Sequence, residues 1–222
     1  MSVEAPEVLE KFDADLERLL RTLTSDLDEI ATLRIQALKD RLVHLHNLKL
    51  VKINHSIMEL LCAKSMVFEG YEVELEKSLN NDLTCDIYGQ KGEGTILVEV
   101  ETGFVPPDHA LDPATYGLTR VASKIARYSH YAEKFPLGAP PYHVLQIPKL
   151  FLKPPRDRRP EEISRIKELC DQYYTSPPIS IDDIRKARIH TIYIIDVDGE
   201  TARQVDQEDY LDRIISWNYS RP

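Results

Sequence analysis

Between Glu4 and Leu50 the chain holds no glycine and one proline, Pro6, while apolar residues recur at Leu9, Phe12, Leu16, Leu19 and Leu23 with alternating spacings of three and four. That is the spacing of a coiled-coil seam. Leu27 followed by Ile30 shifts the phase, and Leu38, Leu42 and Leu45 continue the stripe. The pattern predicts a long helix, or a helical hairpin broken near Leu23 to Asp26, occupying residues 1–50. Either the rest of the chain or a second copy could cover such a stripe. Because a solitary helix of this length cannot bury its leucines alone, the reading favours a homodimer through the N-terminal helix. His44 and His46, two apart, fall on different helix faces and read as ordinary surface or core histidines.

From Ile53 to Met66 the positions Ile57, Leu60, Leu61 and Lys64 follow helical spacing, with Asn54 as a cap. Strict alternation over Tyr71 to Glu76 predicts a strand with one wet face. Leu83 to Tyr88 and Thr95 to Glu101 read as two further strands, joined by a hairpin turn over Gly89 to Gly94. The proline-rich stretch Phe104 to Leu118 reads as a loop, and Thr119 to Phe135 as a helix with Val121, Ile125, Tyr128 and Ala132 inward, Lys124 beside that stripe and Tyr131 on the face of Lys124. Tyr142 to Ile147 reads as a strand, Pro160 to Tyr174 and Ile181 to Ala187 as helices, Ile189 to Val197 as a β-branched strand, and Gln207 to Trp217 as a closing helix. This order predicts an α/β domain over residues 51–222, a mixed β-sheet flanked by helices.

Composition narrows the class. With 42% hydrophobic and 29% charged residues the chain is that of a soluble globular protein, and no apolar run approaches the roughly 20 residues of a membrane span. The N-terminus lacks the basic and apolar regions of a signal peptide, so the expected place is the cytoplasm. Cys62, Cys85 and Cys170 are scattered without zinc-ligand spacing and read as reduced core residues. A net charge of −9 argues against indiscriminate coating of nucleic acid. The charge is nevertheless segregated: Arg120, Lys124, Arg127 and Lys134, with the run from Lys149 to Lys167, are mostly basic, whereas Asp196 to Asp212 is acidic. The basic stretch reads either as solvated surface or as a rim that contacts phosphates.

Candidate chemistry concentrates between Cys85 and Gly103. Residues two apart on a strand share a face, so Glu99 and Glu101 point the same way, roughly 6 to 7 Å apart, with Ile96, Val98 and Val100 on the other side. Taken alone, alternating glutamates read as a solvated face. Asp86 on the preceding strand changes the balance, because three carboxylates brought together repel one another without a cation. Asp86, Glu99 and the main-chain carbonyl of Val100 would supply half a shell for a hard divalent cation such as Mg²⁺.

A helix, a meander carrying Asp86 and then Glu99-Val100-Glu101, a helix and a further strand resemble, over Ile53 to Gln146, the core of the PD-(D/E)XK nuclease superfamily with its restriction-endonuclease-like fold. The resemblance implies that Asp86 and Glu99 bind Mg²⁺ or Mn²⁺, that Glu59 on the preceding helix assists, and that the substrate is DNA cut at its phosphodiester bonds. Cys85 stands where the motif has proline, and Glu101 where it has the lysine that orients or activates water. Two replacements follow from the family: glutamate itself, here Glu101, or a lysine from the following helix, here Lys124. Glu-Val-Glu followed by Thr102-Gly103 is also similar to archaeal members of the superfamily. A dimer would offer two such sites to the two strands of a duplex. The alternative is a nuclease-like fold without activity, serving as a dimeric scaffold or DNA-binding subunit.

Overall fold

Asp28 sets the first architectural feature: its carboxylate accepts the backbone N–H of Ala31 at 2.7 Å and so starts a new helix just after the preceding one has ended. The computed structural model describes residues 6–51 and 53–219; the side chains of Leu9, Asn54 and Trp217, used in the expectations above, lie outside the described ones. The N-terminal segment is therefore a helical hairpin, α1 (Pro6–Leu23) and α2 (Glu29–Asn47). Phe12, Leu16, Leu20 and Leu23 of α1 are buried, as are Ile35, Leu38 and Leu42 of α2. Leu20, not Leu19, completes the inward stripe, and Leu19 is half-buried. These residues pack where α1, α2 and α3 (Ile53–Phe68) meet, so the leucines find cover within one chain. His46 is buried against the Phe12 ring, with centroids 4.2 Å apart, and His44 is exposed.

The chain divides into two compact units, Met1–Glu93 with Ile195–Arg203, and Gly94–Ile194 with Gln204–Pro222. The helical segment thus groups with α3 and with β1 (Glu72–Asn80) and β2 (Leu83–Lys91) in the first unit. β1 and β2 are antiparallel, Leu75 facing Ile87 and Lys77 facing Cys85, with the register shifting between Ser78 and Asn80. Both strands outrun the alternation that predicts them. β2 reaches Lys91, and the turn that follows tightens to Gly92-Glu93, where Gly92 takes a φ of +60°.

The second unit begins with β3 (Gly94–Val100) and continues with α4 (Pro113–Tyr128), β4 (Leu137–Ala139), α5 (Pro160–Asp171), α6 (Ile181–Lys186) and most of β5 (Thr191–Asp196). β6 (Thr201–Asp206) leads into α7 (Gln207–Tyr219). β3 pairs with β4 in parallel, Glu99 facing Leu137, and β4 pairs with β5 in parallel, Leu137 facing Ile192. A parallel pair cannot be closed by a tight turn, and α4 is the crossover. Every residue from Ile96 to Val100 is buried, so β3 has no solvated face. Among the described residues the protein is therefore α/β, with seven α-helices and six strands paired in both directions. No described helix is long and apolar enough to cross a membrane.

Four sequence expectations are corrected. The helix expected at Thr119 to Phe135 begins at Pro113, because Asp112 accepts the Thr115 N–H at 3.2 Å and proline suits the first turn, where its missing donor costs nothing. It ends at Tyr128, which removes Ala132 and Tyr131 from the faces assigned to them. Tyr142 to Ile147 is irregular, and the strand of that region is the short β4, bounded by Pro136 and Pro140. β6 went unread, since its exposed, mixed-polarity residues carry no periodic signal. The basic run contains a structural residue as well: buried Arg158 donates to the carbonyls of Lys153, Ile184 and Arg185 at 2.9 to 3.2 Å and lies over the Phe151 ring. All three cysteines are buried and unbridged, with burial pushing the Cys170 thiol up to about 11.

Candidate functional site

Two cations of α4 meet Glu99 of β3 and Glu101 just past its end. Arg120 Nε donates to Glu101 Oε2 at 2.7 Å, and Lys124 Nζ lies 3.1 Å from Glu99 Oε2 while donating to the Val100 carbonyl at 2.6 Å. The match follows from the repeats. Four residues of helix advance about 6 Å and two residues of strand about 6.6 Å, so an i, i+4 pair on a crossover helix aligns with an i, i+2 pair on the strand beneath it. Glu99 and Glu101 are each only 2% exposed. They are buried acids, not the wet side of a strand, and a buried carboxylate requires a partner of this kind.

The environment of Glu101 is closed further. The Gly103 N–H donates to Glu101 Oε1 at 3.2 Å, so both carboxylate oxygens are engaged. Burial works against the Arg120 charge, but Glu101 and Tyr116 outweigh it and hold the guanidinium above its usual pKa. Gly103 is required where it stands: its φ is +78°, and a Cβ there would lie 2.5 Å from His143 Nδ1. Burial lowers the pKa of His143, Glu101 opposes that shift and Arg120 adds to it, so the site disfavours protonation of the imidazole. Thr102-Gly103 is thus a packed exit from β3, and Arg120, read from the sequence as part of a basic rim, belongs to Glu101.

In the first unit, α3 and β2 bring together His55, Glu59 and Asp86, one ligand atom of each lying within 4.8 Å of the others. Glu59 is fully buried and His55 and Asp86 are half-buried. His55 and Glu59 are one helical turn apart on the same face, and Asp86 alternates on β2 with buried Cys85 and Ile87. The donor set, one imidazole and two carboxylates, suits a divalent cation. His55 escaped the sequence reading, although its i, i+4 spacing to Glu59 was the signal available.

The sequence-derived residues therefore fall into two groups. Glu59 and Asp86 come together in the first unit, and Glu99, Val100, Glu101 and Lys124 in the second. The Val100 carbonyl, assigned to a metal on sequence grounds, accepts a hydrogen bond from the Lys124 ammonium. No protein-family model, curated protein or solved structure matches the chain.

Two stability measurements test this geometry. Gly103→Ala is expected to cost roughly 1–3 kcal/mol in urea unfolding, from left-handed strain plus displacement of the His143 ring; unchanged stability would show that the exit from β3 tolerates a side chain. Lys124→Met is expected to cost roughly 3–5 kcal/mol by leaving Glu99 buried without its cation, and the double variant Lys124→Met/Glu99→Gln to recover a substantial part. Additive losses in that cycle would mean that the two side chains act independently.

Proposed function

We propose that the protein is a metal-dependent nuclease that hydrolyses DNA phosphodiester bonds with Mg²⁺ or Mn²⁺, a variant of the PD-(D/E)XK type with a restriction-endonuclease-like core, acting in the cytoplasm. The motif pairs Asp86 with Glu99 as metal-binding acids, and Glu59 supports Asp86. The observation that carries this reading is the position of Lys124: a lysine from the helix after the motif strand stands against the first motif acid, Glu99, at 3.1 Å. The motif's own lysine is replaced by Glu101, and a helical lysine brought to the same strand end is the compensation the chemistry requires.

A divalent ion, when bound, would polarise the phosphodiester and lower the pKa of its water. The protein residues have separable tasks. Asp86 and Glu99 would each offer a carboxylate oxygen as a ligand. Lys124, anchored on Glu99 and the Val100 carbonyl, is the group that orients water. Glu101, held at both oxygens by Arg120 and Gly103, positions the strand end and keeps Arg120 in place.

One observation favours the second reading, a noncatalytic scaffold or DNA-binding subunit: the ion pairs of Glu99 and Glu101 also have the form of a purely structural ladder. Cleavage decides. The purified full chain should nick plasmid or degrade single-stranded DNA with Mn²⁺ or Mg²⁺, stop on chelation, and lose about a hundredfold or more of its rate on Glu99→Gln or Asp86→Asn with circular dichroism unchanged. Absence of metal-dependent cleavage in the wild-type chain selects the scaffold.

The homodimer through the N-terminal helices is likewise our proposal. The seam residues are covered within one chain, which leaves Ile30 and Leu33 of α2, 67% and 63% exposed, as the apolar residues a second copy would cover. Light scattering should then report a dimer that Ile30→Asp/Leu33→Asp converts to a monomer. A monomeric wild-type chain would end the idea.

A further inference from the structure

We propose that His55, Glu59 and Asp86 form a mixed nitrogen and oxygen site that prefers a first-row transition cation, with Mn²⁺ as its probe, over Mg²⁺. The inference deepens the nuclease reading and rests on it for the use of the ion, but the binding is measured without any cleavage.

The argument begins with spacing. His55 and Glu59 are separated by one turn of α3 and present their side chains to the same side, while Asp86 arrives from β2, so the ligands come from two elements that pack against each other within the first unit. Ligands about 2.1 Å from one ion stand about 3 Å apart at right angles and about 4.2 Å apart across it. The three donor atoms lie within 4.8 Å of one another, so small side-chain movements suffice to close the set around one cation. Glu59 is fully buried and His55 and Asp86 are half-buried, so an ion held there would be largely shielded from solvent on the Glu59 side.

The imidazole decides the choice of ion. Mg²⁺ demands oxygen ligands and holds its waters tightly, whereas transition cations accept imidazole nitrogen at little cost. With oxygen donors alone the discrimination between the two ions would rest only on the tighter hydration of Mg²⁺. His55 adds a donor that only one of them uses well. The two carboxylates supply the negative charge that holds either ion, so the discrimination resides in His55 and the bulk of the affinity in Glu59 and Asp86.

The test is a titration of the full chain with Mn²⁺ alone, followed by electron paramagnetic resonance, with Mg²⁺ as competitor. The wild-type chain should bind one Mn²⁺ at this site at least about tenfold more tightly than Mg²⁺, and pulsed measurements should show coupling to an imidazole nitrogen. His55→Ala should remove the nitrogen coupling and lower Mn²⁺ affinity by about tenfold or more, with Mg²⁺ affinity nearly unchanged; Asp86→Asn should weaken both ions. Bound Mn²⁺ without nitrogen coupling in the wild-type chain, equal affinity for the two ions, or no binding at all overturns the proposal, and the wild-type spectrum decides even where His55→Ala does not fold. Nitrogen-coupled Mn²⁺ on a chain that cuts no DNA would sink the nuclease reading and leave this one standing. Cleavage by a chain whose Mn²⁺ shows no nitrogen coupling would do the reverse.

Discussion

Neutralising two buried carboxylates is the constraint on which the second unit depends. Glu99 sits on a strand with no wet face and Glu101, just past its end, is equally buried, and an isolated carboxylate in such a place is destabilising by several kcal/mol. Lys124 and Arg120 answer them because a helical turn and a two-residue strand step have nearly the same length. The parallel pairing of β3 with β4 makes α4 a crossover, and the crossover delivers the cations. Backbone topology and charge are thus one problem with one solution. The tight exit at Gly103, where no side chain fits against His143, belongs to the same arrangement, since the Gly103 N–H completes the coordination of Glu101.

The first unit solves a different problem. Its helical hairpin has an apolar stripe that needs cover, and α3 supplies it, with His46 laid on Phe12 and Lys39 held by Glu17 and Asp40. α3 then has a second duty. Its early turns carry His55 and Glu59 to Asp86, so the helix that closes the hydrophobic core also presents two of the three side chains that could hold a metal ion. Core packing and a candidate metal group are placed on one element, its later turns bearing Leu60, Leu61 and Met66 and its first turns bearing polar donors.

Much of the candidate site was legible because its signals are local. The Asp86 interruption of β2, the Glu-Val-Glu alternation and the glycine after Thr102 all stand within twenty residues of one another, and helical spacing pointed to Lys124. His55 was equally legible in principle, one turn from Glu59, and was passed over because a lone histidine on a helix carries no weight until an acid from another element is known to face it. Arg120 is the opposite case: its charge was visible, but assigning it to Glu101 and not to a phosphate rim requires the crossover. Arg158 was misread for the same reason, since the carbonyls it satisfies come from three separate positions in the chain.

The sequence by itself determined a helical N-terminal segment, continuous or broken near Leu23 to Asp26, the antiparallel strand pair and the β-branched strand β5, because periodicity and caps are set by neighbours a few residues away. It also singled out Glu59, Asp86, Glu99, Glu101 and Lys124, which the structure gathers into two groups. Only the tertiary structure decided that β3 is buried on both faces, that the strand before β5 is the three-residue β4 rather than Tyr142 to Ile147, and that the stripe of α1 and α2 is covered by their own unit. Those outcomes depend on which surfaces meet, and burial is a property of the assembled contacts, not of the pattern along the chain.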